Sequence, residues 1–153
     1  MPKIDDSREF IPVNIAILTV SDTRSSADDR SGDVLNARAI GDGHVVIDRS
    51  IVKDEVSLIL KKLDYWINNP AIDVIISTGG TGFTGRDVTP EAFKAVFEKE
   101  IEGFGELFRW ISYQKIGTST IQSRAVAGVA KGTYLFALPG STGACTDAWD
   151  GIL

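Results

Sequence analysis

From Ser77 to Pro90 the chain reads Ser-Thr-Gly-Gly-Thr-Gly-Phe-Thr-Gly-Arg-Asp-Val-Thr-Pro. Glycines carry no Cβ, so the backbone N–H groups of such a stretch can converge on an anion without obstruction. Ser77, Thr78 and Thr81 add neutral donors, and Arg86 adds a planar cation suited to bidentate contact with a phosphate. Asp87 beside phosphates makes chemical sense when magnesium lies between them, since that ion favours one or two carboxylates plus phosphate oxygens and water. A plainer reading also stands: the glycines make a turn, Asp87 caps it, and Arg86 is solvated.

Two familiar patterns overlap the stretch, and both fail. Gly80-Thr-Gly82-Phe-Thr-Gly85 matches the dinucleotide pattern G-x-G-x-x-G, which needs a helix opening inside it. Here Thr89-Pro90 places the helix start several residues later. The spacing of Gly80 and Gly85 fits G-x-x-x-x-G-K-[ST], but Arg86 and Asp87 stand where Lys and a hydroxyl belong. Covalent catalysis has little support. Cys145 and His44 are the only residues of their types, neither sits in a protease signature, and together they cannot build a zinc site. Cys145 is read as a small buried apolar residue and His44 as a strand-end surface residue.

The remaining composition narrows the class. The 153 residues suit one domain, with 43% apolar and 24% charged residues, an ordinary globular balance. The net charge of −5 opposes nucleic-acid binding, which needs a basic surface. No apolar run approaches a bilayer span, and Met1 to Glu9 lacks the apolar stretch of a signal peptide. A cytoplasmic protein without membrane contact is expected.

Elements that would position the glycine stretch follow from hydrophobic pattern. Buried strands are expected at Ile15 to Val20, Asp73 to Ser77 and Tyr134 to Leu138, with a further strand at His44 to Lys53. Helices are expected at Arg30 to Ile40, from Val56 through Ile67, and from Thr89-Pro90 onward. Thr89 is read as the capping hydroxyl of that third helix. Asp54 is read as the N-cap of the second helix. An apolar stripe continues through Ile101, Phe104, Phe108 and Ile111, with Gly103 and Gly105 breaking or bending it. Ile121 to Ala130 is read as helical, and a last helix starts near Ala144. Such alternation implies a three-layer αβα sandwich with a mostly parallel sheet. Ligands bind such sheets beyond the carboxyl ends of the strands. The loops leaving those ends are Ser21 to Ser26, Ser77 to Asp87 and Pro139 to Gly143.

The stretch Ser77 to Gly82, followed by Arg86-Asp-Val-Thr-Pro-Glu-Ala92, resembles the signature of molybdenum-cofactor biosynthesis proteins of the MoaB/MogA type. Ser21-Asp22, Val52-Lys-Asp-Glu55, Gly103-Phe-Gly-Glu106 and Leu138-Pro-Gly-Ser141 match further. Glu9-Phe-Ile-Pro12 and the run Ile116 to Gly128 resemble the MoaB branch. The resemblance runs from about Phe10 to the C-terminus, so residues 10–153 are expected to form one molybdopterin-binding-like domain behind a flexible tail at 1–9. It implies molybdopterin and ATP as substrates, with magnesium assisting adenylylation of the pterin's terminal phosphate. By the same resemblance Asp54 and Asp87 would serve catalysis and the metal. Gly79, Gly80, Thr81 and Gly82, with Pro139, Gly140 and Ser141, would hold phosphates and nucleotide. Thr78 and Arg86 belong to the same loop, Ser21 and Asp22 to the pocket edge, and Ser119 and Arg124 to the pterin side. A non-catalytic molybdopterin carrier is the alternative. The resemblance also implies a trimer or a hexamer, and possible contact with other molybdenum-cofactor proteins. Phe104, Phe108, Trp110 and Tyr113 are many aromatics for one helix to bury, so they either close the core or mark a subunit contact.

Overall fold

A computed structural model describes residues 5–153. The expected tail at 1–9 therefore falls partly outside the described residues. Strands β1 (Asn14–Val20), β2 (Val45–Val52), β3 (Val74–Thr78), β4 (Lys99–Glu100), β5 (Val126–Ala130) and β6 (Thr133–Leu138) form one sheet in the order β2-β1-β3-β6-β5-β4. The first four strands in that order run parallel, and β5 runs antiparallel to both β6 and β4.

Period-two alternation along β1, an interior strand, feeds apolar side chains into a core on each face of the sheet. Ile15 and Ile17 face one core, and Ala16, Leu18 and Val20 face the other. The first core is closed by α1 (Arg30–Gly41), α4 (Glu102–Ile116) and α5 (Thr142–Gly151), through Leu35, Phe108 and Ala148. The second is closed by α2 (Val56–Ile67) and α3 (Thr89–Val96), through Ile59, Trp66 and Phe93. Full burial of a side chain such as Phe93 or Phe108 contributes about 2–3 kcal/mol. The result is the three-layer αβα sandwich with a mostly parallel sheet.

Four local expectations need correction. Residues 121–130 are not a helix: a 3₁₀ turn over Gly117–Gln122 leads into β5. The small residues there serve close approach, since a Cβ on Gly128 would lie 2.4 Å from the Phe97 ring. Helix α4 runs unbroken through Gly103 and Gly105, and Gly105 admits the Ala125 carbonyl, 2.7 Å from where its Cβ would be. Thr89 is not the cap of α3. Val88 occupies that position, and the Thr89 hydroxyl is used elsewhere. Glu55, not Asp54, is the N-cap residue of α2, and it makes no side-chain cap. His44 is half-buried just before β2, where its Nδ1 accepts the Val13 N–H at 3.1 Å.

The aromatic question divides along α4. Phe104 and Phe108 are buried in the first core, whereas Trp110 and Tyr113 are 62% and 57% exposed. No helix among the described residues is long and apolar enough to cross a membrane.

Replacing Gly128 by Val should lower the unfolding free energy by about 1–3 kcal/mol, because the branched side chain collides with Phe97 in a packed layer. Denaturant titration of the two proteins measures it.

Candidate functional site

Strands β1, β3 and β6 are adjacent and parallel, so the loops after Val20, Thr78 and Leu138 leave the sheet side by side. The chain order turns outward in opposite directions from β1 and β3, and such a switch point opens a crevice at the carboxyl edge. A cavity of about 380 Å³ lies there. Its floor is Gly80, Thr81, Gly82 and Asp87, and its near wall is Pro139, Gly140, Ser141 and Ala144. The far wall combines Phe108, Ser112 and Ile116 of α4 with Ser119 and Gln122 of the 3₁₀ turn and Ser123 just after it.

Hydrogen bonds from behind shape the glycine floor. Gly79 and Gly80 adopt φ of +103° and +72°, which side chains strongly disfavour. A Cβ on Gly79 would also lie 2.2 Å from the Val20 carbonyl. The Thr89 hydroxyl donates to the Gly79 carbonyl at 2.9 Å, and the Thr89 N–H donates to the Gly80 carbonyl at 3.1 Å. With those carbonyls held, the N–H groups of Gly80, Thr81 and Gly82 find no protein acceptor among the described residues. Amides left unpaired beside a cavity are donors awaiting a ligand or water.

Thr78 is fully buried and acts between loops: its hydroxyl donates to the Pro139 carbonyl at 2.9 Å and accepts from the Cys145 thiol at 3.4 Å. Burial pushes the Cys145 thiol up to about 11, so it stays protonated and is no nucleophile at neutral pH. Ser141 is the N-cap of α5, its Oγ accepting the Ala144 N–H.

Three carboxylates border the glycine loop. Asp87 Oδ2 accepts the Thr84 N–H and hydroxyl at 3.0 and 2.7 Å, which fixes its carboxylate against Gly82. Asp54 approaches on another side, and a Cβ on Gly80 would lie 3.1 Å from its Oδ1. Asp22 accepts the Asp54 N–H at 3.1 Å and a two-pronged contact from Arg86 at 2.8 and 3.0 Å. These surroundings drive two acids in opposite directions. The Arg86 hydrogen bonds, then the Asp54 N–H, hold Asp22 below the usual carboxylate range. Burial raises Asp54, and the charges of Asp22 and Asp87 add to it against the opposing pull of Arg86.

Among the described residues no three metal-binding side chains gather into a ready-made cage. Asp54 and Asp87 are the two carboxylates packed against the glycines at 80 and 82, and of the two only Asp87 lines the cavity.

Not every expected site residue lines the cavity. Arg124 is engaged in holding the loop: it donates to the Gly82 carbonyl at 2.7 Å and the Asp87 carbonyl at 2.9 Å, and pairs with Glu91. Arg86 is occupied by Asp22, and the Ser21 hydroxyl accepts the Thr23 and Arg24 N–H groups. Ser119 does line the cavity, with Ser112, Gln122 and Ser123 beside it. Gln122 and Ser123 escape sequence reasoning because the 3₁₀ turn over Gly117–Gln122 carries no periodic signal, and Ser112 because it is one polar position within helix α4. Arg24 escapes it too, and it binds the Gly140 carbonyl at 2.7 Å.

A rim of unpaired amides at the switch point of a mostly parallel sheet, with acids beside it, places the chain among α/β proteins with a polar crevice at the carboxyl edge of the sheet. Residues 16–153 match the family described as "Probable molybdopterin binding domain". The chain is 52% identical over 147 residues to Molybdenum cofactor biosynthesis protein B of Escherichia coli K12, covering 96% of this chain and 86% of that protein. The protein of the same name from Staphylococcus epidermidis is 47% identical over 137 residues, 87% and 78% of the two chains. A crystal structure of a Molybdenum cofactor biosynthesis protein B superposes with a TM-score of 0.91 at 41% identity, covering 95% of this chain and 91% of that one. The tungsten cofactor synthesizing protein MoaB of Pyrococcus furiosus gives 0.83 at 34% identity, covering 91% and 89%. The chain belongs to the molybdopterin-binding-domain family of molybdenum cofactor biosynthesis proteins.

The carboxylate geometry is testable by pH. In carboxyl-detected NMR, Asp54 should titrate above and Asp22 below an ordinary aspartate. A raised folded-state value means Asp54's contribution to stability is fully present below its unfolded value and is lost as pH rises through the folded one. Asp54→Asn should therefore melt about 1–3 °C higher than wild type at pH 7, with the gain vanishing in acid where Asp54 is already protonated. Arg124→Met should destabilise by about 1–3 kcal/mol, since it removes a charged donor from two loop carbonyls.

Proposed function

We propose that this chain binds molybdopterin with the terminal phosphate on the glycine floor, and that it adenylylates that phosphate with ATP and magnesium. The observation carrying this reading is the set of unpaired amides at Gly80, Thr81 and Gly82 between two carboxylates. Adenylyl transfer asks for little covalent chemistry from a protein. A phosphate oxygen of the pterin attacks the α-phosphorus of ATP, a P–O–P bond forms, and the α–β bridge bond breaks with its electron pair leaving on pyrophosphate. The protein's task is alignment and the balancing of clustered negative charge. No Ser, Cys or His nucleophile is required.

Loop amides grip phosphoryl oxygens, and Asp87 and Asp54 would hold magnesium. That ion, when bound, would neutralise the polyphosphate and ease departure of pyrophosphate. The polar wall of Ser112, Ser119, Gln122 and Ser123 offers hydrogen bonds to the edge of a heterocycle, and Phe108 and Ile116 offer apolar contact to its faces. One observation favours a carrier without catalysis: Arg86, the loop's cation, is spent on Asp22.

Self-association is part of the same reading. Leu107, Trp110 and Tyr113 lie at successive i, i+3 positions on α4 and are 42–62% exposed. A second copy covering that row would bury it, and a trimer or hexamer is the expected assembly.

Purified protein with ATP, magnesium and molybdopterin should form adenylylated pterin and pyrophosphate, separable by chromatography. Asp87→Ala should lower kcat/KM by about 10²–10³-fold with pterin binding retained. Pterin binding without turnover in wild type would assign the chain as a carrier, and no pterin binding would overturn both readings. Sedimentation should give a mass above the monomer's 16.5 kDa, and Trp110→Asp should reduce it.

A further inference from the structure

A carbonyl held by a protein donor fixes its peptide plane, and in a trans peptide the next N–H then points the opposite way. The loop after β6 shows this twice in succession. Thr78 holds the Pro139 carbonyl from β3, which orients the Gly140 N–H. Arg24 holds the Gly140 carbonyl at 2.7 Å, which orients the Ser141 N–H. Neither of these N–H groups has a protein acceptor among the described residues, and both residues line the cavity.

Arg24 is itself braced from below. Its Nη1 donates to the Ser31 hydroxyl at 2.5 Å and lies 4.0 Å from Asp29. The Asp29 side chain is only 3% exposed, and it accepts from the Thr19 hydroxyl at 2.8 Å, the Gly32 N–H at 3.2 Å and Arg49 at 3.2 Å. Thr19 belongs to β1, so the brace is tied to an interior strand of the sheet. Gly140 completes the joint, because a Cβ there would lie 3.3 Å from Gly79 Cα and 3.9 Å from Arg24 Nη2. The loops after β1, β3 and β6 thus meet at one point.

We propose that Arg24 is a positioning residue for the ligand's phosphate: backed by buried Asp29, it turns the Gly140–Ser141 peptide so that the Ser141 N–H faces the cavity as a phosphate donor. This deepens the proposed function and rests on its placing of a phosphoryl group in that cavity. Arg24 acts through the backbone and does not itself touch the ligand. Lysine could keep one donor on the Gly140 carbonyl but not the second bond to Ser31, so a conservative variant should recover part of the effect.

The test uses the full chain labelled with ¹⁵N and titrated separately with inorganic phosphate and with molybdopterin. Phosphate should shift the Ser141 amide in wild type. Arg24→Met should weaken phosphate binding about tenfold and abolish that shift, with the β1 amides unmoved; Arg24→Lys should bind about two- to five-fold more weakly than wild type. A role confined to stability would lower the melting temperature and leave phosphate binding and the Ser141 shift as in wild type, which overturns the proposal. So does a Ser141 amide that phosphate leaves unmoved in wild type. Should Arg24→Met fail to fold, wild-type phosphate affinity in Arg24→Lys overturns it and the expected weakening supports it. Phosphate shifting Ser141 through Arg24 while molybdopterin does not bind would overturn the proposed function and leave Arg24's role standing.

Discussion

The site depends on amides that the sheet cannot use. Where β1, β3 and β6 end, their backbones leave the ladder, and each N–H must find another acceptor or face solvent. Three side chains resolve the matter by taking the carbonyls: Thr89 at Gly79, Thr78 at Pro139 and Arg24 at Gly140. The donors at 80–82 and 140–141 are left over. A rim of unpaired amides is thus what remains once the loops are pinned, and the side chains behind it govern its shape.

Electrostatics around that rim is arranged as a tension. An overall acidic chain concentrates Asp22, Asp54 and Asp87 near one loop, with Arg86 as the neighbouring cation. Arg86 satisfies Asp22, and its remaining pull on Asp54 is outweighed by burial and by two like charges. Such a site is poorly suited to a bare polyphosphate and well suited to one arriving with a divalent cation, because the acids then gain a partner as the phosphates do. Asp54 carries the electrostatic strain of that arrangement, since burial and two neighbouring acids disfavour its charge.

The rest of the fold serves to hold the loops in register. Parallel pairing of β1, β3 and β6 sets their ends level, and two apolar cores clamp the sheet from both faces. Close contacts at glycine bring separate elements within reach: Gly140 on Gly79, and Gly105 against the carbonyl of Ala125. The second of these lets α4 lie near β5, and the 3₁₀ turn between them then becomes a cavity wall.

Much of this was legible in the chain itself. Continuous apolar runs at 15–20 and 134–138, interleaved with helical stripes, dictate a parallel three-layer sandwich because only full burial on both faces accommodates such strands. The glycines at 79, 80 and 82 announce backbone that side chains would obstruct, and the acids at 54 and 87 stood out by their neighbours in sequence. Tertiary structure alone decided the remainder. Residues 126–130 became a strand because small residues suit tight packing in either conformation, and pairing between β6 and β4 decided for the sheet. Arg24 reaches Gly140 across 116 positions of sequence, and Arg124 reaches the loop at Gly82 and Asp87. A long polar side chain carries no period and no local signature, so its partner exists only once the sheet has brought the loops together.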